Sequence, residues 1–157
     1  MSSRFSHNLF QLIAAAALVS GGAADPALAD RAPDGLASLD ITITGIKSDQ
    51  GVIRLALCPP DTRFPDCKSH IVRSTALAIS HGTARTLLSG LAPGRYAVSV
   101  FHDANANAKL DTFAGIPKEG YGFSRNPPFK PRAPKFSEAE IAVSGATSVA
   151  IHLRYIL

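Results

Sequence analysis

The sequence predicts an all-β protein, an antiparallel β-sandwich of about seven strands with one long loop over residues 103–137. Three observations carry this. Apolar residues recur with a period of two from Leu39 onward, as in strands with one buried face, and no stretch repeats with the period of a helix. Turn-forming clusters punctuate the alternating runs at sandwich-like spacing. The stretch 103–137 breaks the alternation, holds five prolines and is too long for a plain connection, which marks it as functional.

The elements follow in order. Leu39, Ile41 and Ile43 alternate with Asp40, Thr42 and Thr44; Asp49-Gln50-Gly51 supplies a turn; Ile53, Leu55 and Leu57 continue with Arg54 facing out. These two runs are expected to pair as a hairpin. Runs over Ile71–Ile79 and Ala84–Leu91 flank Ser80-His81-Gly82-Thr83. Pro93-Gly94 has turn chemistry, after which Tyr96, Val98 and Val100 share a face. Ile141 and Val143, a turn at Gly145–Thr147, and Val149, Ile151, Leu153 and Tyr155 complete the set. A transmembrane β-barrel would need at least about eight strands of roughly 9–11 residues. These runs are fewer and shorter.

The N-terminus sets the expected address. Arg4 is the sole formal charge before Asp25, the run Leu9–Val19 is apolar, and Ser20-Gly21-Gly22-Ala23-Ala24 is small. That is the build of a secretory signal peptide, with Ala27-Leu28-Ala29 as the cleavage rule and Ala24/Asp25 as second choice. A membrane-spanning helix needs roughly 20 apolar residues, more than this run offers. The expected organisation is a signal peptide over 1–29, a flexible leader over 30–37 and a single sandwich domain over 38–157, exported to the periplasm or secreted and not membrane-spanning after cleavage. About 128 residues (157 − 29) remain, enough for a core of their own.

Lys and Arg number 16 against 12 Asp and Glu, a formal charge of +4, but the basic residues are scattered except at Lys130–Lys135. Nucleic-acid binding calls for a basic stripe interleaved with aromatics, so it is not expected. The two cysteines, Cys58 and Cys67, bracket a proline-rich segment, and an even count in an oxidising compartment predicts a structural disulfide.

The chemistry concentrates after the fifth strand. Asp103-Ala-Asn-Ala-Asn-Ala-Lys-Leu-Asp111 places oxygen ligands at calcium-loop spacing. With Asp103 at position 1, Asn105 falls at 3, Asn107 at 5, the Lys109 carbonyl at 7 and Asp111 at 9. Position 6 is Ala108 instead of glycine, and position 12 is Ala114 instead of glutamate; Glu119, five residues on, would have to fold back to contribute. The expected cofactor is therefore Ca²⁺, bound weakly. A second motif, Gly115 to Asn126, offers Glu119, Tyr121, Phe123 and Arg125 as a ligand loop, its rings either pinning the loop or facing a ligand. His102 beside Asp103 does not read as catalytic, because adjacent strand residues point to opposite faces and no Gly-x-Ser-x-Gly elbow is present.

Tyr96–Asp111 followed by Gly115–Ser124 resembles the DUF2141 family of exported bacterial proteins, which usually reads His-Asp-x-Asn-Gly-Asn-Gly-Lys-Leu-Asp at this loop. This chain keeps Asp103, Asn105, Asn107, Lys109 and Asp111 and carries Ala106 and Ala108 at the glycine positions. Leu91-Ala-Pro-Gly-Arg-Tyr96 is also similar to the Leu-x-Pro-Gly-x-Tyr strand start of prealbumin-like and Cna-B-type modules. The resemblance implies an Ig-like or prealbumin-like sandwich and no particular reaction. The expected role is a non-enzymatic exported module that binds an envelope or extracellular ligand or partner through the 103–130 loop, ordered by calcium. The alternatives are a small envelope hydrolase using Glu119, Asp103 or Asp111, and a purely structural sandwich.

Overall fold

Ala37, Leu39, Ile41 and Ile43 are fully buried on one face of β1 (Ala37–Thr44), the central strand of the first sheet. The computed structural model describes residues 35–60 and 62–157, so the expected signal peptide and most of the expected leader lie outside the described residues. β1 begins at Ala37, inside the stretch read as leader. It pairs antiparallel with β4 (Ala84–Leu91) and parallel with β10 (Ala146–His152).

The second sheet is antiparallel throughout. β2 (Val52–Cys58) lies between β3 (Arg73–Leu77) and β5 (Gly94–Asp103). The far edge of the ten-residue β5 is shared by two short strands: β8 (Tyr121–Phe123) against Ser99–Phe101 and β9 (Glu140–Val143) against Gly94–Ala97. A small hairpin, β6 (Thr112–Phe113) and β7 (Ile116–Pro117), stands apart. One helical turn, α1 (Phe136–Ala139), precedes β9. Leu39, Ile41 and Ile43 meet Ile53, Leu55, Leu57, Val98 and Val100 between the two sheets. The architecture is the all-β open sandwich expected, with every one of the seven predicted runs forming a strand.

Two expectations fail. β1 and β2 do not form a hairpin; they sit in different sheets, and residues 45–51 cross from one to the other. Alternation identifies a strand's buried face but carries no information about its partner. The 103–137 stretch, read as one loop, contains β6, β7 and β8. β8 escapes a pattern search because its inward position is Gly122, where a Cβ would lie 2.8 Å from Ile151 Cγ2. Close packing against β10 requires the glycine, and its absent side chain erases the alternation.

Cys58 and Cys67 are disulfide-bonded as predicted, fastening the 59–71 loop to the end of β2. Together with Phe64, Ala97 and Ala139 they form a second apolar cluster on the outer face of the second sheet. That face carries the site.

Candidate functional site: a loop-walled groove

β5 ends in His102 and Asp103, which point to opposite faces. His102 faces inward, its Nδ1 2.9 Å from the Tyr155 hydroxyl and its Nε2 2.8 Å from the Gln50 carbonyl. Asp103 faces outward beside Arg54, yet it is fully buried. Arg54 Nε donates to Asp103 Oδ2 at 2.9 Å; the backbone N–H groups of Asn107 and Ala108 donate to Oδ1 and Oδ2, each at 2.9 Å. Burial works to raise the Asp103 pKa, but the Arg54 bond and the two N–H bonds outweigh it and hold the carboxyl below its ordinary value.

The remaining ligand candidates also turn onto N–H donors. Asn105 Oδ1 accepts from Asn107 N at 3.1 Å, and Asn107 Oδ1 from Lys109 N at 2.8 Å. Both asparagine amides donate to the Asp111 carboxylate, Asn105 at 2.9 Å and Asn107 at 3.1 Å. Glu119 folds back and clasps the base of the loop, accepting from Ala104 N and Asp111 N, each at 3.0 Å. Ala106 and Ala108 take φ values of 57° and 63°. The loop thus keeps the left-handed turns for which glycine is usual, with alanines adopting them.

This arrangement does not fit a calcium ion at Asp103. A guanidinium at hydrogen-bond distance meets the charge that the ion would need, and a divalent cation there would be repelled by Arg54. The loop carboxylates are likewise committed to N–H groups: Asp103 and Glu119 anchor backbone, and Asp111 receives the asparagines.

Beside this loop the outer face of the second sheet opens into a groove of about 540 Å³, within the size range of small-molecule sites. Ala56 and Ser99, small residues on the two central strands, form its floor. Phe101, Tyr121 and Phe123 line one side, all half-buried. One wall is the disulfide-fastened segment around Pro65 to Ile71; the other is Ala108 to Leu110, the far turn of the acidic loop.

Of the residues singled out in the sequence, Tyr121, Phe123 and Lys109 reach this groove. Asp103 lies beside it and holds Arg54, which does reach it. Glu119 is buried at the loop base, and Arg125 is exposed with a φ of 63° and does not line the groove. Sequence reasoning missed Phe101, Ser99 and Lys68. Phe101 and Ser99 lie in the outward phase of β5 and Lys68 in the turn just after Cys67, but only the fold brings those segments together.

The fold and the groove define a class: an all-β sandwich domain with one outer sheet face left open between two fastened loops. The chain belongs to the DUF2141 family, uncharacterized proteins conserved in bacteria, whose match spans residues 41–151, from within β1 to within β10. No curated protein and no solved structure matches it. Among the described residues no helix is long and apolar enough to cross a membrane.

Proposed function

We propose that this chain is an exported, non-enzymatic binding module that takes a small ligand in the groove on the outer face of its second sheet. One observation carries the reading: three aromatic rings stay only partly buried beside a floor of Ala56 and Ser99, between walls fixed by a disulfide and by the Arg54–Asp103 pair. Sheet faces exposed to water ordinarily carry polar outward residues, so a retained aromatic concavity is the signature of a binding site. The export half of the reading rests on the signal-like N-terminus and on the disulfide, which persists in oxidising compartments. The hydrolase alternative has less to stand on, since a catalytic carboxylate must reach a substrate proton and these carboxylates hold the loop.

A fragment library screened by ¹H–¹⁵N NMR tests the site. Hits should shift the amides of residues 54–56, 99–101 and 121–123, and Ser99→Trp, which fills the floor, should abolish them. Hits that scatter over the surface, or that survive Ser99→Trp, would reject the groove as the binding site.

A further inference from the structure

The outward phase of β2 alternates Arg54 and Ala56, and β5 answers with Phe101 opposite Arg54 and Ser99 opposite Ala56. The groove therefore has a cation in its floor next to an aromatic ring. Arg54 is fixed there by its Nε bond to the buried Asp103, and among the described residues neither of its Nη groups makes a hydrogen bond. Its side chain is 33% exposed, so that fork of donors borders the groove. A guanidinium held by one edge presents the other at little further entropic cost, and its geometry matches a carboxylate.

The walls carry the same sign. Lys68, exposed in the short helical turn Lys68–His70, lines one wall, and Lys109, exposed at the tip of the acidic loop, lines the other. Against these three cations the lining offers one carboxylate, Asp66, while Asp103 is spent beneath Arg54. The uncharged lining is mostly apolar, with Phe101, Tyr121 and Phe123 on one side and Ala56 in the floor, and its only hydroxyls are those of Ser74, Ser99 and Tyr121.

Resting on the groove as the ligand site, we infer that its occupant is an amphipathic carboxylate, with an apolar body on the rings of Phe101, Tyr121 and Phe123 and an acid group at Arg54 between Lys68 and Lys109. Charge complementarity selects the anion, and the groove's volume of about 540 Å³ suits one small molecule.

The test is a set of chain-matched probes, dodecanoate, dodecanol and dodecyltrimethylammonium, titrated below their micelle concentrations into the protein with its disulfide intact and followed by ¹H–¹⁵N NMR. Dodecanoate should shift residues 54–56, 99–101 and 121–123 and bind at least tenfold more tightly than the ammonium probe. Lys68→Glu with Lys109→Glu, both at exposed positions, should remove that preference without moving the melting temperature. Equal binding of all three probes in the groove would overturn the anion inference and leave the groove itself standing as a site. A dodecanoate preference that survives the double charge reversal would overturn it too. If none of the probes shifts the groove, the carboxylate inference falls, and the fragment screen alone decides the fate of the groove.

Discussion

Asp103 is the residue on which the site turns. Its carboxylate is fully buried, with Arg54 and two backbone N–H groups as its partners. Asp103→Asn would remove the charge opposite Arg54 and place an amide N–H against one of these donors. We expect a loss of about 3 kcal/mol, in the range for breaking a buried pair and tempered by the partial exposure of Arg54. The pH dependence follows from the lowered pKa. The folded state holds the proton less tightly than the unfolded one, so the stabilisation is full above the ordinary carboxyl value of 3.8 and disappears as pH falls through the lower folded value. Thermal melts of wild type and Asp103→Asn from pH 7 to pH 2 check this. The gap in Tm should be widest above about pH 5 and close in acid; a gap that stays constant would sink the assignment. At Ala106 and Ala108 the prediction has the opposite sign. Each holds a positive φ that costs an L-residue about 1–2 kcal/mol, more than the roughly 0.4–1 kcal/mol that glycine adds to unfolded-state entropy. Ala106→Gly and Ala108→Gly should each stabilise the protein by about 0.5–1 kcal/mol in urea titrations.

At the scale of elements, the long strands could be read from the sequence because each buries one face. The alternating buried and half-buried residues of β1 restate the alternation of Leu39, Ile41 and Ile43 with polar residues. Partners could not be read that way. β1 accepts β10 and β4, far away in sequence, while its chain neighbour β2 joins the other sheet. For the acidic loop, spacing gave the oxygens in order and the structure supplies what spacing lacks, their partners. The donor Arg54 comes from another strand, and Glu119, which accepts from Ala104 N and Asp111 N, from beyond the β6–β7 hairpin. These partners lead to a further prediction, that the loop is ordered without an ion. Melting in 1 mM Ca²⁺ and in EDTA should give the same Tm to within a degree. A rise of several degrees with calcium would restore the metal expectation for Asn105, Asn107 and Asp111, because an ion bound only by the folded state stabilises it by an amount that grows with the logarithm of one plus its concentration over its Kd.

Across the whole molecule, the groove exists because two walls of different chemistry stand on one sheet. The acidic loop is held by Asp103 and Glu119, through charge and N–H bonds; the 59–71 segment is held by the Cys58–Cys67 bond and the cluster of Phe64, Ala97 and Ala139. The sandwich core between the sheets includes neither wall. Reduction should therefore separate the site from the fold. Opening a bond that spans nine positions in sequence removes about 2–3 kcal/mol in the chain-entropy account, less than the stability of an ordinary domain. In the reduced protein, amide exchange should stay slow at Ile41, Leu55 and Val98, in the strands that build the core, and quicken across 62–71. Fragment binding in the groove should weaken at least tenfold, since a wall that must be ordered on binding adds its entropy to the cost of association. Binding that persists unchanged after reduction, with exchange over 62–71 still quickened, would show that the disulfide-held wall is no part of the site. The groove would then be confined to the side built by Arg54, Phe101, Tyr121 and the acidic loop.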